Sequence, residues 1–196
     1  NLPNGEKFIF ELKKGDYVID CGANVGEVTN FFQQVGANVF AFEPNKHAFK
    51  ILNQRFQKNN NVSCINKGVG SSSDSGIKKL FLHESAEKNQ VVYSTGCSIV
   101  EDKINVNNNN YEEIEIVDLG TFIENLDKPV KVLKIDIEGA EVNLLNDLLD
   151  RNLLRNIPYV FVETHEKKIP SLREATEKLK KRIVQEKYNN INLNWI

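Results

Sequence analysis

The sequence predicts an α/β protein, with a doubly wound, mostly parallel sheet in a single domain that spans residues 1–196. Two observations predict this class of fold. Short apolar runs typical of strands alternate with amphipathic segments of helical period, which implies right-handed strand–helix–strand crossovers. The length also suits one domain, since domains commonly hold roughly 100–200 residues.

The first half of the chain contains three predicted strands and two predicted helices. The strands are "DYVID" (16–20), "NVFAFEP" (38–44) and "NVSCIN" (61–66). The first helix has four apolar residues at helical spacing, namely Val28, Phe31, Phe32 and Val35. A second helix is predicted over residues 45–57, with Asn45 as its N-cap.

The middle of the chain lacks a regular pattern. Residues 71–113 are therefore predicted to be an irregular insertion, or a segment that builds the wall of a pocket. Within this range "IKKLFLH" (77–83) has the composition of a strand, whereas "NVNNNN" (105–110) is predicted to be a polar loop that faces solvent. Ser98 is either an ordinary loop serine or a residue that reaches the pocket.

Regular alternation returns near residue 113. Strands are predicted at "EIEIV" (113–117), "VKVLKID" (130–136), "PYVFVE" (158–163) and "INLNWI" (191–196). A short helix is predicted at "LGTFIENL" (119–126), and a second helix has Val142, Leu145, Leu148 and Leu149 on its inner face. Ser171 and Glu174 have the spacing of a capping box and are predicted to open the last helix.

The composition excludes several kinds of partner. A net charge of -2 gives no field that attracts nucleic acid or an anionic membrane, so neither is predicted as a partner. No apolar run approaches the roughly 18 residues of a membrane span. Cys21, Cys64 and Cys97 are odd in number and widely spaced, which predicts reduced thiols and a cytoplasmic location.

The first motif that carries chemistry is "DCGANVG" (20–26), directly after the first strand. Ligands of such a sheet bind outside the carboxyl ends of its strands. Gly22 and Gly26 allow a tight turn and a close approach of the backbone to a ligand. Their spacing differs from the dinucleotide fingerprint GxGxxG, which disfavours an NAD-dependent oxidoreductase. Asp20 would repel a pyrophosphate and suits a ligand with a cationic or amino end.

The second motif is Glu43, at the end of the second strand and 21 residues beyond Gly22. A carboxylate at this position commonly accepts hydrogen bonds from ribose hydroxyls. Alone, Glu43 could equally be a solvated residue before Pro44; together with the glycine loop, the ribose is favoured. A nucleoside that has an amino-acid tail and lacks a pyrophosphate is S-adenosylmethionine.

The segments "VIDCGANVGEVTNFF", "VFAFEPN", "VKVLKIDIEGAEVNLL" and "YVFVETHE" together resemble the FkbM family of S-adenosylmethionine-dependent methyltransferases. This resemblance covers roughly residues 17–166. It implies a class I methyltransferase (Rossmann-like) fold and methyl transfer to a hydroxyl oxygen of a sugar or natural product. It further implies that Asp20, Gly22, Asn24 and Gly26 cradle the methionine part, that Glu43 holds the ribose, and that Asn45 lies nearby.

The third motif, "LKIDIEGAE" (133–141), puts Lys134, Asp136 and Glu138 on alternate positions of a central strand. Buried unpaired charges cost several kcal/mol, so these residues need partners or a ligand. In one interpretation Lys134 and Asp136 form a buried ion pair and Glu138 caps the next helix. In the other, these residues are catalytic and the acids reach the acceptor pocket. Glu141 is either a further participant or an ordinary acid of the first helical turn.

His165 follows the strand "YVFVET" and is the predicted general base, because imidazole has an unperturbed pKa of about 6.5. It is alternatively a surface histidine in the polar run "THEKK". Oxygen ligands from Asp136 and Glu138, joined by Glu163, are an alternative site for Mg²⁺, although no residue is assigned to a metal on sequence grounds.

The leading functional hypothesis is an S-adenosylmethionine-dependent O-methyltransferase for a sugar, a glycan or another small molecule. The alternative is a domain that binds a cofactor or partner without turnover, because Gly120 stands where the family usually has a carboxylate. A nucleic-acid methyltransferase is disfavoured, since the sequence lacks an Asn-Pro-Pro-Tyr or Asp-Pro-Pro-Tyr motif.

Overall fold

The computed structural model describes residues 11–83, 97–99 and 106–195, and for residues 83 and 106–109 it describes the backbone alone. The strands in chain order are β1 (Tyr17–Cys21), β2 (Asn38–Phe42), β3 (Val62–Ile65), β4 (Gly68–Gly70), β5 (Gly76–His83), β6 (Val106–Asp118), β7 (Val130–Ile135), β8 (Tyr159–Val162) and β9 (Ile191–Asn192). The helices are α1 (Glu27–Gln34), α2 (Lys46–Phe56), α3 (Leu119–Glu124), α4 (Glu141–Asp150) and α5 (Arg173–Gln185).

The larger sheet is parallel throughout its described strands and has the order β3-β2-β1-β7-β8-β9. The order reverses beside β1, whose neighbours are β2 and β7. Alternate residues of β1 face opposite layers: Val18 packs in the cluster with Phe32 and Leu52 of α1 and α2, and Ile19 packs in the cluster of α4 and α5. Because both faces are covered, these strands consist of nearly continuous apolar runs. The predicted doubly wound fold is confirmed.

A second, smaller sheet has the order β4-β6-β5 and carries most of the described part of residues 71–113. The strand β6 pairs parallel with β4 and antiparallel with β5. The prediction of a polar loop at 105–110 is therefore wrong for residues 106–110, and Asn105 lies outside the described residues. The ladder to β5 is made by backbone groups, which asparagine supplies as well as any other residue.

The start of α2 was predicted correctly from the sequence, but the start of α5 was not. Asn45 is the N-cap of α2, as predicted, and its side-chain oxygen accepts hydrogen bonds from the amides of His47 and Ala48. The capping box of Ser171 and Glu174 is wrong. Ser171 lies in a 3₁₀ turn, Pro170–Leu172, and among the described residues no side chain caps α5, which begins at Arg173.

Side-chain burial also departs from prediction in α1, where Phe32 is fully buried but Phe31 and Val35 are exposed. At the end of the chain, only Ile191–Asn192 of the predicted final strand pairs with β8. Cys21, Cys64 and Cys97 are free thiols, as predicted. Within the described part of the chain, the helices all lack the length and apolar character that crossing a bilayer requires.

Gly22 and Gly15 provide a matched test of how the fold holds its first loop. Both have positive φ, +78° and +88°. A Cβ on Gly22 would lie 1.8 Å from the carbonyl oxygen of Asp136, whereas a Cβ on Gly15 would meet nothing within 4 Å. Gly15→Ala should therefore cost only backbone strain, about 1 kcal/mol. Gly22→Ala should cost about 3–5 kcal/mol, because strain and a backbone clash add.

Urea unfolding of the two variants measures this difference directly. Equal losses of stability in Gly22→Ala and Gly15→Ala would contradict the close approach of β1 and the loop after β7.

Candidate active site

A cleft of about 700 Å³, counted with its open mouth, lies beyond the carboxyl ends of β1, β2 and β7. Each strand end contributes two residues to its lining, namely Gly22 and Asn24, Glu43 and Asn45, and Asp136 and Glu138. The opposite wall is apolar and includes Val69, Leu80, Ile114 and Ile116 from the second sheet. The cleft has the lining of a small-molecule site, with an apolar wall and a few polar groups that converge on it.

The loop after β1 is held against β2 by backbone hydrogen bonds. The amides of Gly22 and Ala23 both donate to the carbonyl of Phe42, at 3.0 and 2.9 Å. Gly26 follows as the left-handed N-cap of α1, and a Cβ there would lie 2.6 Å from the ring of Phe56. Gly26 thus allows α1 and α2 to pack closely and lies behind the cleft.

Glu43 is buried, with 6% of its surface exposed. Its two carboxylate oxygens accept hydrogen bonds from the amides of Asn24 and Asn45, each at 2.8 Å. Burial raises the pKa of Glu43 to about 7, although these two amides oppose the shift. Each oxygen keeps a further lone pair, so the carboxylate can still accept hydrogen bonds from a ligand in the cleft.

Lys134 and Asp20 lie beneath the glycine loop, and both are almost fully buried. They are direct cross-strand neighbours on β7 and β1, with Nζ 3.2 Å from Oδ1. The ammonium also donates to the carbonyl of Gly22 at 2.8 Å and lies 3.6 Å from Asp136. Asp20 accepts a further hydrogen bond from Thr29 at 2.7 Å. The predicted pairing of Lys134 with Asp136 is present, but the closer carboxylate belongs to Asp20.

Because Lys134 and Asp20 are covered by the loop, their side chains hold the site in place from below. The predictions that Asp20 cradles the methionine part of a ligand and that Lys134 is catalytic stay predictions. Neither residue is among those that line the cleft, and we propose that both act through the loop. The burial of both charges at one cross-strand position favours this indirect role.

The segment after β7 brings Asp136 and Glu138 to the cleft by a turn instead of a continued strand. The strand ends at Ile135, and Glu138 adopts a left-handed conformation with φ +60°. Glu138 does not cap α4: its side chain lines the cleft, and the carboxylate of Glu141 accepts from the amides of Ile137 and Gly139. The hydroxyl of Ser98 donates to the carbonyl of Glu138, which ties residues 97–99 to this turn.

His165 lies behind these acids, with only 2% of its surface exposed. Its Nδ1 is 2.9 Å from Glu141 Oε1, and its Nε2 is 3.1 Å from Glu138, 3.6 Å from Glu163 and 3.7 Å from Asp136. Burial lowers the pKa of His165, but the surrounding carboxylates, led by Glu138 and Glu141, outweigh it and raise the pKa to about 10.

The surrounding carboxylates therefore favour the protonated imidazole at neutral pH, and Asp136 and Glu138 are the members of this cluster that line the cleft. This environment differs from the one expected for a general base, and it also excludes the surface histidine that was the alternative. Sequence reasoning assigned no defined role to Glu141. The only signal for it was its place in the first turn after the acidic strand end.

The strand order and the position of the cleft define a Rossmann-like α/β protein of the class I methyltransferase type. The family model described as "Methyltransferase FkbM domain" matches residues 20–188, and the chain belongs to this family. The resemblance seen in the sequence motifs is thereby confirmed.

Two relatives show how far the similarity extends. The hexuronic acid methyltransferase AglP of Haloferax volcanii is 30% identical over 155 residues, which are 79% of this chain and 58% of that protein. The crystal structure of methyltransferase FkbM from Methylobacillus flagellatus KT matches with a TM-score of 0.52 at 17% identity, over 88% of this chain and 39% of that one. The second likeness shows the fold alone, and the chain spans less than two thirds of either relative.

Removing the buried ammonium should destabilise the protein strongly. Lys134→Met leaves Asp20 as an uncompensated charge in the interior, which costs about 3–5 kcal/mol. The double variant Asp20→Asn/Lys134→Met should recover part of this loss, because no buried charge then remains at the cross-strand position. Urea unfolding of the single and double variants provides the measurement.

Lys131→Met is the matched control on the same strand. Lys131 is half-buried, with its ammonium 5.4 Å from the ring centre of Tyr159, and its loss should cost less than about 1 kcal/mol. If Lys134→Met and Lys131→Met lost the same stability, Lys134 would not hold the loop as described.

Proposed function

We propose that this protein is an S-adenosylmethionine-dependent O-methyltransferase that acts on a hydroxyl of a sugar, a glycan or another small molecule. One observation carries the proposal: Glu43 at the end of β2 and Asp136 at the end of β7 line the same cleft, on either side of the glycine loop of β1. The strand order brings these two carboxylates to one crevice. In this proposal Glu43 would bind the ribose and Asp136 the acceptor hydroxyl.

On the donor side, the residues fit a nucleoside that has an amino-acid tail. The unused lone pairs of Glu43 suit the two ribose hydroxyls, and the apolar wall of the second sheet suits a base. Gly22 and Asn24 would lie along the methionine part, on a loop that Asp20 and Lys134 hold from below. When bound, S-adenosylmethionine supplies a methyl group activated by its sulfonium.

On the acceptor side, Asp136 and Glu138 would orient the hydroxyl and take up its proton. An alcohol is a poor nucleophile while protonated, so a carboxylate within hydrogen-bond reach assists the transfer. Positioning the two reactants in one cleft supplies much of the remaining acceleration. The similarity to a hexuronic acid methyltransferase supports a sugar as the acceptor.

Donor binding should depend on Glu43. Calorimetric titration with S-adenosylmethionine should give at least tenfold weaker affinity for Glu43→Gln, because an amide accepts less strongly from the ribose hydroxyls than a carboxylate does. Glu115→Gln is the control, since Glu115 is an exposed partner of Lys67 on the second sheet. Tight binding of NAD with no binding of S-adenosylmethionine would refute the proposal.

The pH dependence of the same titration shows how much of the donor affinity comes from the carboxylate of Glu43. With a pKa of about 7, Glu43 ionises mainly between about pH 6 and pH 8, so affinity should rise over this interval in the native protein and stay flat in Glu43→Gln. The folded pKa lies above the ordinary 4.5, so the stability that protonated Glu43 contributes is lost as pH rises towards 7. As pH rises towards 7, the free energy of unfolding should fall while the affinity for S-adenosylmethionine increases.

Turnover should depend on Asp136. Labelled donor incubated with a panel of neutral and acidic sugars, hexuronic acids included, should transfer label to at least one acceptor. Asp136→Asn should reduce kcat by about 10²–10⁴-fold while donor affinity changes little, because the substitution removes the proton acceptor. A protein that binds the donor but labels no acceptor would instead be a binding module.

A further inference from the structure

We propose that Asp136, Glu138 and His165, joined by Glu163, form a binding site for a divalent first-row transition-metal ion, with Mn²⁺ as the best-suited probe. The site lies where the turn after β7 meets the segment after β8. The proposal concerns binding by this chain's own residues. Its consequence for methyl transfer rests on the proposed function.

The geometry of Asp136, Glu138 and His165 fits an ion, and Glu163 lies close to the same nitrogen of His165. One ligand atom from each of Asp136, Glu138 and His165 lies within 4.8 Å of the other two. His165 Nε2 is 3.1 Å from Glu138 Oε2, 3.7 Å from Asp136 Oδ1 and 3.6 Å from Glu163 Oε1. In an octahedral site with ligand distances of roughly 2.1 Å, neighbouring ligand atoms lie roughly 3 Å apart and opposite ones roughly 4 Å apart.

Glu141 orients the imidazole of His165. Glu141 Oε1 already accepts from the amides of Ile137 and Gly139, so it acts as an acceptor towards the imidazole and receives the N–H of Nδ1. Binding of an ion would then need only the proton on Nε2 to leave. A histidine that binds a metal through one ring nitrogen characteristically donates the N–H of its other nitrogen to a carboxylate in this way.

The remaining nitrogen, Nε2, is aimed among the three other carboxylates. The side chain is 1% exposed, and within the described residues Nε2 makes no aligned hydrogen bond although Glu138 Oε2 is 3.1 Å away. An ion would replace the proton on Nε2 and contact the facing carboxylate oxygens at the same time, which a single misaligned proton does not do.

The charge of the cluster also favours a cation. The four carboxylates of Asp136, Glu138, Glu141 and Glu163 surround a single imidazole, so they outnumber it even when it is protonated. Among the described residues, the lysines that reach these acids are Lys134, which is shared with Asp20, and Lys168, which is 3.7 Å from Glu163 and mostly exposed. Bringing like charges together in a partly buried site is unfavourable unless a cation offsets them.

The ligand set indicates the class of ion. Carboxylates suit Mg²⁺, Ca²⁺ and Mn²⁺, whereas imidazole suits the later transition metals, so a mixed set favours Mn²⁺ and its neighbours over Ca²⁺. Asp136 and Glu138 also line the cleft. An ion held there would reach an acceptor hydroxyl and make its proton easier to remove.

The test is a titration of the full, metal-free chain with Mn²⁺, followed by electron paramagnetic resonance of the free ion, with neither donor nor acceptor present. One ion per chain should bind below roughly 1 mM, and Ca²⁺ should compete at least tenfold more weakly. Glu138→Gln and His165→Asn should each weaken Mn²⁺ binding at least tenfold. Glu115→Gln, on the second sheet, should leave it unchanged.

Glu138→Gln is the decisive variant, because Glu138 lies at the cleft surface and its isosteric amide preserves the fold even if His165→Asn does not. No saturable binding, equal affinity in Glu138→Gln and the native protein, or equal competition by Ca²⁺ would each overturn the site. A parallel donor titration keeps the two proposals apart. Mn²⁺ binding without donor binding defeats the proposed function alone, and donor binding without Mn²⁺ binding defeats the metal site alone.

Discussion

The buried ammonium of Lys134 is the interaction on which the arrangement of the cleft depends. It lies at the one position where β1 and β7 bring opposite charges face to face, and it also donates to the carbonyl of Gly22 above it. A lysine with so little exposure needs this many partners, because each lost partner would leave part of its desolvation uncompensated. The glycine loop is consequently fixed to the strand that ends just before Asp136 and Glu138.

The other side of the loop is fixed by backbone groups. The carbonyl of Phe42 accepts from Gly22 and Ala23, and the carboxylate of Glu43 accepts from Asn24. Together with Lys134, these bonds connect the ends of three adjacent strands, β2, β1 and β7. Sites that are built on such supported strand ends are positioned more accurately than sites on free loops.

The charges of the site therefore divide into two groups with different tasks. Asp20 and Lys134 are covered and stabilise the loop, whereas Glu43, Asp136 and Glu138 face the cleft. His165 and Glu141 belong to neither group. Both are buried, but His165 contacts the acids that line the cleft, and Glu141 contacts His165. The motif "LKIDIEGAE" (133–141) thus contains residues of both groups: Lys134 is covered, and Asp136 and Glu138 face the cleft.

Much of this arrangement could be predicted from the sequence, because it follows from local pattern and from one rule of topology. Apolar runs identified the strands of the main sheet, and acids that follow parallel strands meet at one edge. The strand through residues 106–110 could not be predicted, because its pairing with β5 depends on backbone contacts between distant segments. The surroundings of His165 could not be predicted either. Its carboxylate neighbours come from segments after β7 and after β8, and only the folded structure brings these segments together.

A crystal structure with the demethylated donor, S-adenosylhomocysteine, would test the central claim most directly. The account predicts ribose hydroxyls within hydrogen-bond distance of Glu43, the base against the second sheet, and the sulfur directed towards Asp136. A nucleoside bound elsewhere, or bound in this cleft with its ribose away from Glu43, would contradict it.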